Sequence, residues 1–219
     1  MTINAVDFAS LLCSRLCHDL LSPVGALNNG LELLADEHDP DMRQRCLDLL
    51  SESARASANK LKFFRLAFGA AGGFGETVDT REAKAAIEGL FGPEGKVELN
   101  WLVEAPALSK TAIKVLLNLA LIAGDALVRG GRLDVAAEQA GQTTEIVVRA
   151  EGPRLILDPE LRKALQIDLG DIAALSPRAA AAWLAHQLVI GSGGSIQVSD
   201  PAEPALLFGA VIGTGKVGA

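Results

Sequence analysis

The chain is short of cysteine, of positive charge and of long hydrophobic runs, and each shortage closes off a class of function. Its three cysteines are an odd number and offer no disulfide framework. Cys13 and Cys17 lie one helical turn apart with His18 directly after. On a helix His18 points about 100° away from Cys17, so the three do not converge on a metal. Half-buried reduced thiols are the better reading. With 27 acidic against 20 basic residues the formal charge is −7, which argues against nucleic acid, whose phosphates demand a basic face. No apolar run approaches the roughly 18 residues of a membrane span, and no signal peptide opens the chain. A cytoplasmic protein without a membrane partner is expected. Internal repeats and low-complexity tails are also missing.

What is present divides into two patterns. The 219 residues, 49% hydrophobic and 21% charged, suit one large domain or two small ones with a real core. From about Asn4 to Ala35, Leu12, Leu16, Leu20, Val24, Leu27, Leu31 and Leu34 step by three or four and form one apolar helical stripe. The segment Asp36–Pro40 breaks the pattern, with proline as the stop signal. A second helix is expected from Asp41 to Phe68, anchored by Cys46, Leu49, Leu50, Leu61, Phe64 and Phe68. Its Ser- and Ala-rich middle lets a neighbouring helix approach closely.

The glycine-rich stretch Gly69–Gly75 reads as a linker. Beyond it the sequence predicts strands at Glu76–Asp79, Lys96–Val103, Arg132–Glu138, Thr143–Ala150, Ser195–Ser199 and Ala205–Ile212. Helices are predicted at Thr80–Phe91, Ser109–Val128, Asp158–Leu165 and Pro177–Ile190. The expected fold class is therefore α+β. Residues 1–70 form an antiparallel helical hairpin, and residues 76–219 form an α/β sandwich with helices on one face of a mixed sheet. A hairpin with a single apolar stripe cannot cover itself, so two copies are expected to pack as a four-helix bundle, a C2 homodimer.

The stretch RLCHDLLSP interrupts the first helix with an ionisable pair and a proline. At 100° per residue, Leu16 and Leu20 fall about 160° to either side of His18, and Leu27, Leu31 and Leu34 lie near the opposite pole. With the stripe buried, His18 faces solvent. Its own strip holds Leu11, Ser14, Arg15, Leu21, Ser22, Gly25 and Asn29, a mixture of leucines and small polar residues that suits a protein docking surface. Pro23 removes the amide that would bond the Asp19 carbonyl, a cost of about 3 kcal/mol in a helix interior. Counting antiparallel from the turn at His38 brings Lys60 near the same face, and Arg15 is the nearer cation for an acidic partner rim.

His18-Asp19-Leu20-Leu21-Ser22-Pro23 resembles the phospho-acceptor box of two-component sensor kinases, His-Asp/Glu-x-x-Ser/Thr-Pro. There the histidine sits on the first helix of a dimeric hairpin followed by an ATP-binding α/β sandwich of the Bergerat type. The sandwich departs from the kinase pattern where nucleotide chemistry belongs. Leu117-Asn118-Leu119 looks like the start of the first nucleotide box, but Ile122 stands where a second Asn belongs and Asp125 where a Lys belongs. Ala150-Glu151-Gly152-Pro153-Arg154 replaces the Asp-x-Gly-x-Gly box, and Leu175-Ser176-Pro177-Arg178 stands in place of the glycine-rich lid. Without these elements ATP binding is not expected.

A kinase-like hairpin joined to a degenerate ATPase domain resembles the ChpT-type histidine phosphotransferases of alphaproteobacterial phosphorelays. The resemblance implies a protein-histidine phosphotransferase with His18 as phosphoacceptor and Asp19 in support. It also implies no cofactor of its own, with Mg²⁺ supplied by the partner. It implies a CckA-like hybrid-kinase receiver domain as donor and CtrA-like and CpdR-like response regulators as acceptors. Imidazole titrates near pH ~6.5 in reference peptides, which leaves a neutral nucleophile at pH 7. The rival readings are a divergent ATP-binding sensor kinase core and a non-catalytic dimeric scaffold. A metal-dependent phosphohydrolase built from His18-Asp19 and His38-Asp39 fails on distance, since 20 residues of helix span about 30 Å. If His18 were not the carrier, His186 on the late helix would be the next candidate.

Overall fold

The structure, a computed structural model, describes residues 5–69, 76–92, 96–166 and 175–213. The predicted linker lies outside the described residues except for Gly69.

Two long helices open the chain, α1 (Ala5–Asp36) and α2 (Pro40–Ala67). The turn between them is built by Asp39, whose carboxylate caps α2 by accepting the backbone N–H groups of Asp41 at 3.0 Å and Met42 at 2.9 Å. Pro40 is therefore the first residue of α2, where its missing N–H costs nothing. Arg43 ties the end of α1 down by donating to the carbonyls of Leu34 and Glu37. The helices approach closely at Gly30, where a Cβ would sit 3.0 Å from Leu50 Cδ2. The apolar stripe of α1 is only partly covered. Leu12, Leu16, Leu20, Leu27 and Leu34 are half-buried, while Val24 and Leu31 stay exposed. One hairpin has one partner helix, which cannot close the whole stripe.

The remainder begins with β1 (Thr77–Asp79), α3 (Thr80–Phe91), β2 (Val97–Val103), β3 (Ala107–Ser109) and α4 (Lys110–Ala126). It continues with β4 (Gly131–Ala140), β5 (Thr143–Glu151) and α5 (Pro159–Gln166). A 3₁₀ turn at Pro177–Ala179 leads into α6 (Ala180–Gly191), and β6 (Ser195–Val198) and β7 (Leu206–Gly213) follow. The main sheet has the order β2-β4-β5-β7-β6, with β2 and β4 parallel and the other neighbours antiparallel. Short β1 and β3 pair apart from it, Thr77 opposite Ser109. The sequence pattern did not predict β3.

Alternation sets the faces of the sheet. Leu133, Val135, Ile146, Val148 and Phe208 point inward and are fully buried under the helices. Asp134, opposite Arg149 in the register, lies on the other face. Helix α4 runs through the middle of the core, with Leu116, Leu117 and Leu119 wholly buried.

The hairpin is rooted in this core. Phe63, Phe64, Leu66 and Ala67 at the end of α2 are buried in one cluster with α3 and α4 residues. Near the start of α1, Phe8 packs on Trp183 of α6 with ring centroids 4.5 Å apart. These two contacts hold the first half of α1 beside the sandwich. No described helix is long and apolar enough to cross a membrane.

Candidate functional site

Helix α1 carries His18 with 68% of its side chain open to solvent. Its Nδ1 lies 3.1 Å from Asp19 Oδ1. An ionised carboxylate only accepts hydrogen bonds, so in the neutral ring this contact puts the proton on Nδ1 and the lone pair on Nε2. Adjacent residues of a helix diverge by about 100°, yet the aspartate reaches round to touch the ring.

Asp19 is itself held. Arg15, one turn earlier, donates from Nε to Asp19 Oδ2 at 2.6 Å. The second arm of the same guanidinium, Nη2, reaches Asp125 Oδ2 on α4 at 3.0 Å. Burial alone would pull the Arg15 guanidinium down, but the Asp125 and Asp19 carboxylates outweigh it and hold it above its ordinary value. Burial along the wall of the cleft pushes the Asp125 carboxyl up, and Arg15 works against that rise.

Pro23 is accommodated without ending the helix, which runs on to Asp36. The Asp19 carbonyl that Pro23 leaves without its helical donor accepts instead from Lys60 Nζ of α2 at 2.8 Å. Lys60 is thus bound to the backbone beneath the His-Asp pair. His18, Asp19, Arg15 and Lys60 share the wall of an open cleft of about 580 Å³ between hairpin and sandwich. Opposite them stand Phe91, Asp125, Asp158 and Arg178. The Phe91 ring lies directly on α4 because position 124 is glycine; a Cβ there would overlap it.

The predicted docking strip is only partly free. Ser14, Leu21, Ser22, Gly25 and Asn29 are exposed, Leu21 to 69%. Arg15 is a correction, because it is 9% exposed and committed to two carboxylates. Leu11 is half-buried and packs against the core. Both were assigned from a helical wheel of α1 alone, and the sandwich covers that part of the wheel. His186 is buried, with Nδ1 2.8 Å from the Leu165 carbonyl oxygen, so it presents no nucleophile to a partner. Asn118 is also wholly buried, and its Nδ2 donates to the carbonyls of Ala67 and Lys114. Asp125 is the site residue that sequence reasoning did not assign. Its signal was present: between Val115 and Ala126 it is the only charged residue.

The chain is similar to known proteins over most of its length. Residues 80–204 match the family model of the histidine phosphotransferase C-terminal domain. The protein phosphotransferase ChpT of Brucella abortus (strain 2308) is 41% identical over 160 residues, 73% of this chain and 75% of the relative. A bacterial phosphotransferase solved at 1.7 Å superposes with a TM-score of 0.82 at 33% identity, covering 96% of this chain and 98% of that one. The histidine kinase AdeS of Acinetobacter baumannii matches at 15% identity and a TM-score of 0.47, covering 91% of this chain and 98% of that one. With the family model matched over more than half its length and a curated relative at 41% identity, this chain belongs to the ChpT-type histidine phosphotransferases.

Proposed function

We propose that His18 is the phosphoryl carrier of a phosphorelay, loaded from one receiver domain and discharged to another. The observation that carries this reading is an exposed imidazole whose Nδ1 is occupied by Asp19. The Nε2 lone pair attacks the phosphorus of a receiver's aspartyl phosphate. A P–N bond forms as the P–O bond to the aspartate breaks, and the receiver carboxylate leaves. The ring becomes cationic, with its Nδ1–H still donated to Asp19, now as a charge-assisted bond. Reversal of the same step onto a second aspartate completes the relay. Phosphoryl transfer depends mostly on in-line positioning and charge neutralisation; the receiver brings the Mg²⁺ and this chain brings the oriented ring. By resemblance the donor is a CckA-like receiver and the acceptors are CtrA-like and CpdR-like response regulators.

The protein acts without ATP. Supporting this, Asn118 is sunk in the core, Ile122 and Asp125 replace the other nucleotide-box residues, and Ala150 stands fully buried where a carboxylate would meet adenine. The working form is a homodimer. Supporting that, Leu31, Leu47 and Leu61 leave 58%, 47% and 54% of their surface on the hairpin exposed in the single chain, more than a finished surface needs.

The deciding experiment mixes the protein with a phosphorylated receiver and follows the label. His18→Ala should keep its fold and lose all labelling, and the wild-type label should be acid-labile and base-stable, as a phosphoramidate is. A His18→Ala protein that still takes the label would sink the reading, and micromolar ATP binding by calorimetry would favour a kinase instead.

A further inference from the structure

Asp125 occupies an unfavourable place for a carboxylate. It is the penultimate residue of α4, where the helix dipole presents its negative end and favours cations. Its side chain keeps half of its surface open along the cleft, yet its carboxylate meets Arg15 of the hairpin at 3.0 Å. Arg15, with 10% of its side chain exposed, has one arm on Asp125 and the other on Asp19. A buried guanidinium needs its N–H groups satisfied. Deprived of Asp125, it would turn its second arm toward Asp19 and draw that carboxylate off the ring.

We infer that Asp125 is a positioning residue for phosphoryl transfer: by holding one arm of Arg15 it aims the other at Asp19, and so fixes the oxygen that meets His18 Nδ1. The chain of contacts runs Asp125 Oδ2 to Arg15 Nη2 at 3.0 Å, Arg15 Nε to Asp19 Oδ2 at 2.6 Å, and Asp19 Oδ1 to His18 Nδ1 at 3.1 Å. The sandwich domain thereby acts on the reactive ring through a residue of α4, with no nucleotide involved. This rests on the reading of His18 as carrier, because the ring's tautomer matters to transfer only if Nε2 is the nucleophile.

Nitrogen NMR of the His18 ring reads the tautomer directly and does not depend on transfer. In the wild-type dimer the Nδ1–H form should dominate. Asp125→Asn should give a mixture of the two tautomers and slow transfer from a phosphorylated receiver roughly 10-fold, the scale of one charge-assisted contact. Asp125→Glu should restore both. In an Asp19→Asn background, Asp125→Asn should add nothing, because the path to the ring is already cut. An unchanged tautomer overturns the inference, even with slower transfer, since that pattern assigns Asp125 to docking. A shifted tautomer with an unchanged rate overturns it too. Failure of the carrier reading looks different: His18→Ala would keep its label while the tautomer still responded to Asp125.

Discussion

The hairpin and the sandwich treat their hydrophobic residues in opposite ways. In the sandwich, Leu116, Leu117 and Leu119 of α4 and Phe208 of β7 are wholly buried, with helices on one side and the sheet on the other. In the hairpin, Leu31 and Leu61 are more than half exposed, although their spacing is equally regular. The first is a closed core and the second is half of one. His18 lies on the unfinished half, while Asp125, the carboxylate that meets Arg15 beside it, belongs to the finished half. Burial in one chain therefore says where the fold is complete, and the site forms where the two kinds of region meet.

The largest expected effect separates the two regions by stability. Leu116→Ala removes fully buried methyl groups and should cost about 2–5 kcal/mol, lowering the melting temperature alike at all protein concentrations. Leu31→Ala and Leu61→Ala should leave the isolated chain within about 1 kcal/mol. They should lower the melting temperature mainly in concentrated samples, where a dimer interface contributes most, and approach wild type on dilution. Thermal melts over a concentration series distinguish the cases. A concentration-independent loss in the hairpin variants would make the hairpin a closed core as well, and the comparison would break.

A smaller effect concerns the seam at Pro23. The Asp19 carbonyl has lost its helical donor and relies on Lys60. Lys60→Met should cost about 1–2 kcal/mol, since it strands a half-buried acceptor. Pro23→Ala supplies an amide at the position that serves the Asp19 carbonyl in a regular helix. In that background Lys60→Met should cost much less. Denaturant melts of the two singles and the double measure the coupling, and additive effects would show that Lys60 does not stand in for the missing donor.

How much of this was legible in the sequence depended on how far apart the partners lie. Helix α3 was placed at its true limits because its signals are local: Asp79 caps it by accepting from the Arg81 N–H, and Gly92 ends it at φ 75°. The exposure of His18 followed from the wheel of one helix. Strand β3 escaped because its pairing with β1 joins residues far apart in sequence. Arg15 was assigned to a solvent face for the same reason. Its partner Asp125 lies 110 positions away, and a wheel contains no such neighbour. Lys60 came out near the site because an antiparallel hairpin fixes the register of its two arms, even though its bond to the Asp19 backbone was not foreseen.

The smallest expected effect tests whether the outer face of the sandwich shares in the contrast. Asp134 there accepts from Asn100 Nδ2 at 2.9 Å and Arg149 Nη1 at 3.2 Å, with Arg132 Nε at 3.1 Å. Desolvation pushes its carboxyl up, but the hydrogen bonds from Asn100 and Arg149 and the charges of Arg132 and Arg149 outweigh it, so it titrates below its ordinary value. A carboxylate lowered on folding contributes stability above its unfolded pKa of about 3.9 and loses it as pH falls through the folded value. Arg132 is half exposed and Arg149 a third exposed, so screening limits the contribution to under about 1 kcal/mol. Asp134→Asn should therefore be slightly less stable than wild type at pH 7. The gap should close as pH drops below about 4, as measured by denaturant melts across the acid range. A gap that persists unchanged into acid would mean that Asp134 acts through the shape of its hydrogen bonds rather than its charge, and that this face, like the buried one, is held by packing geometry.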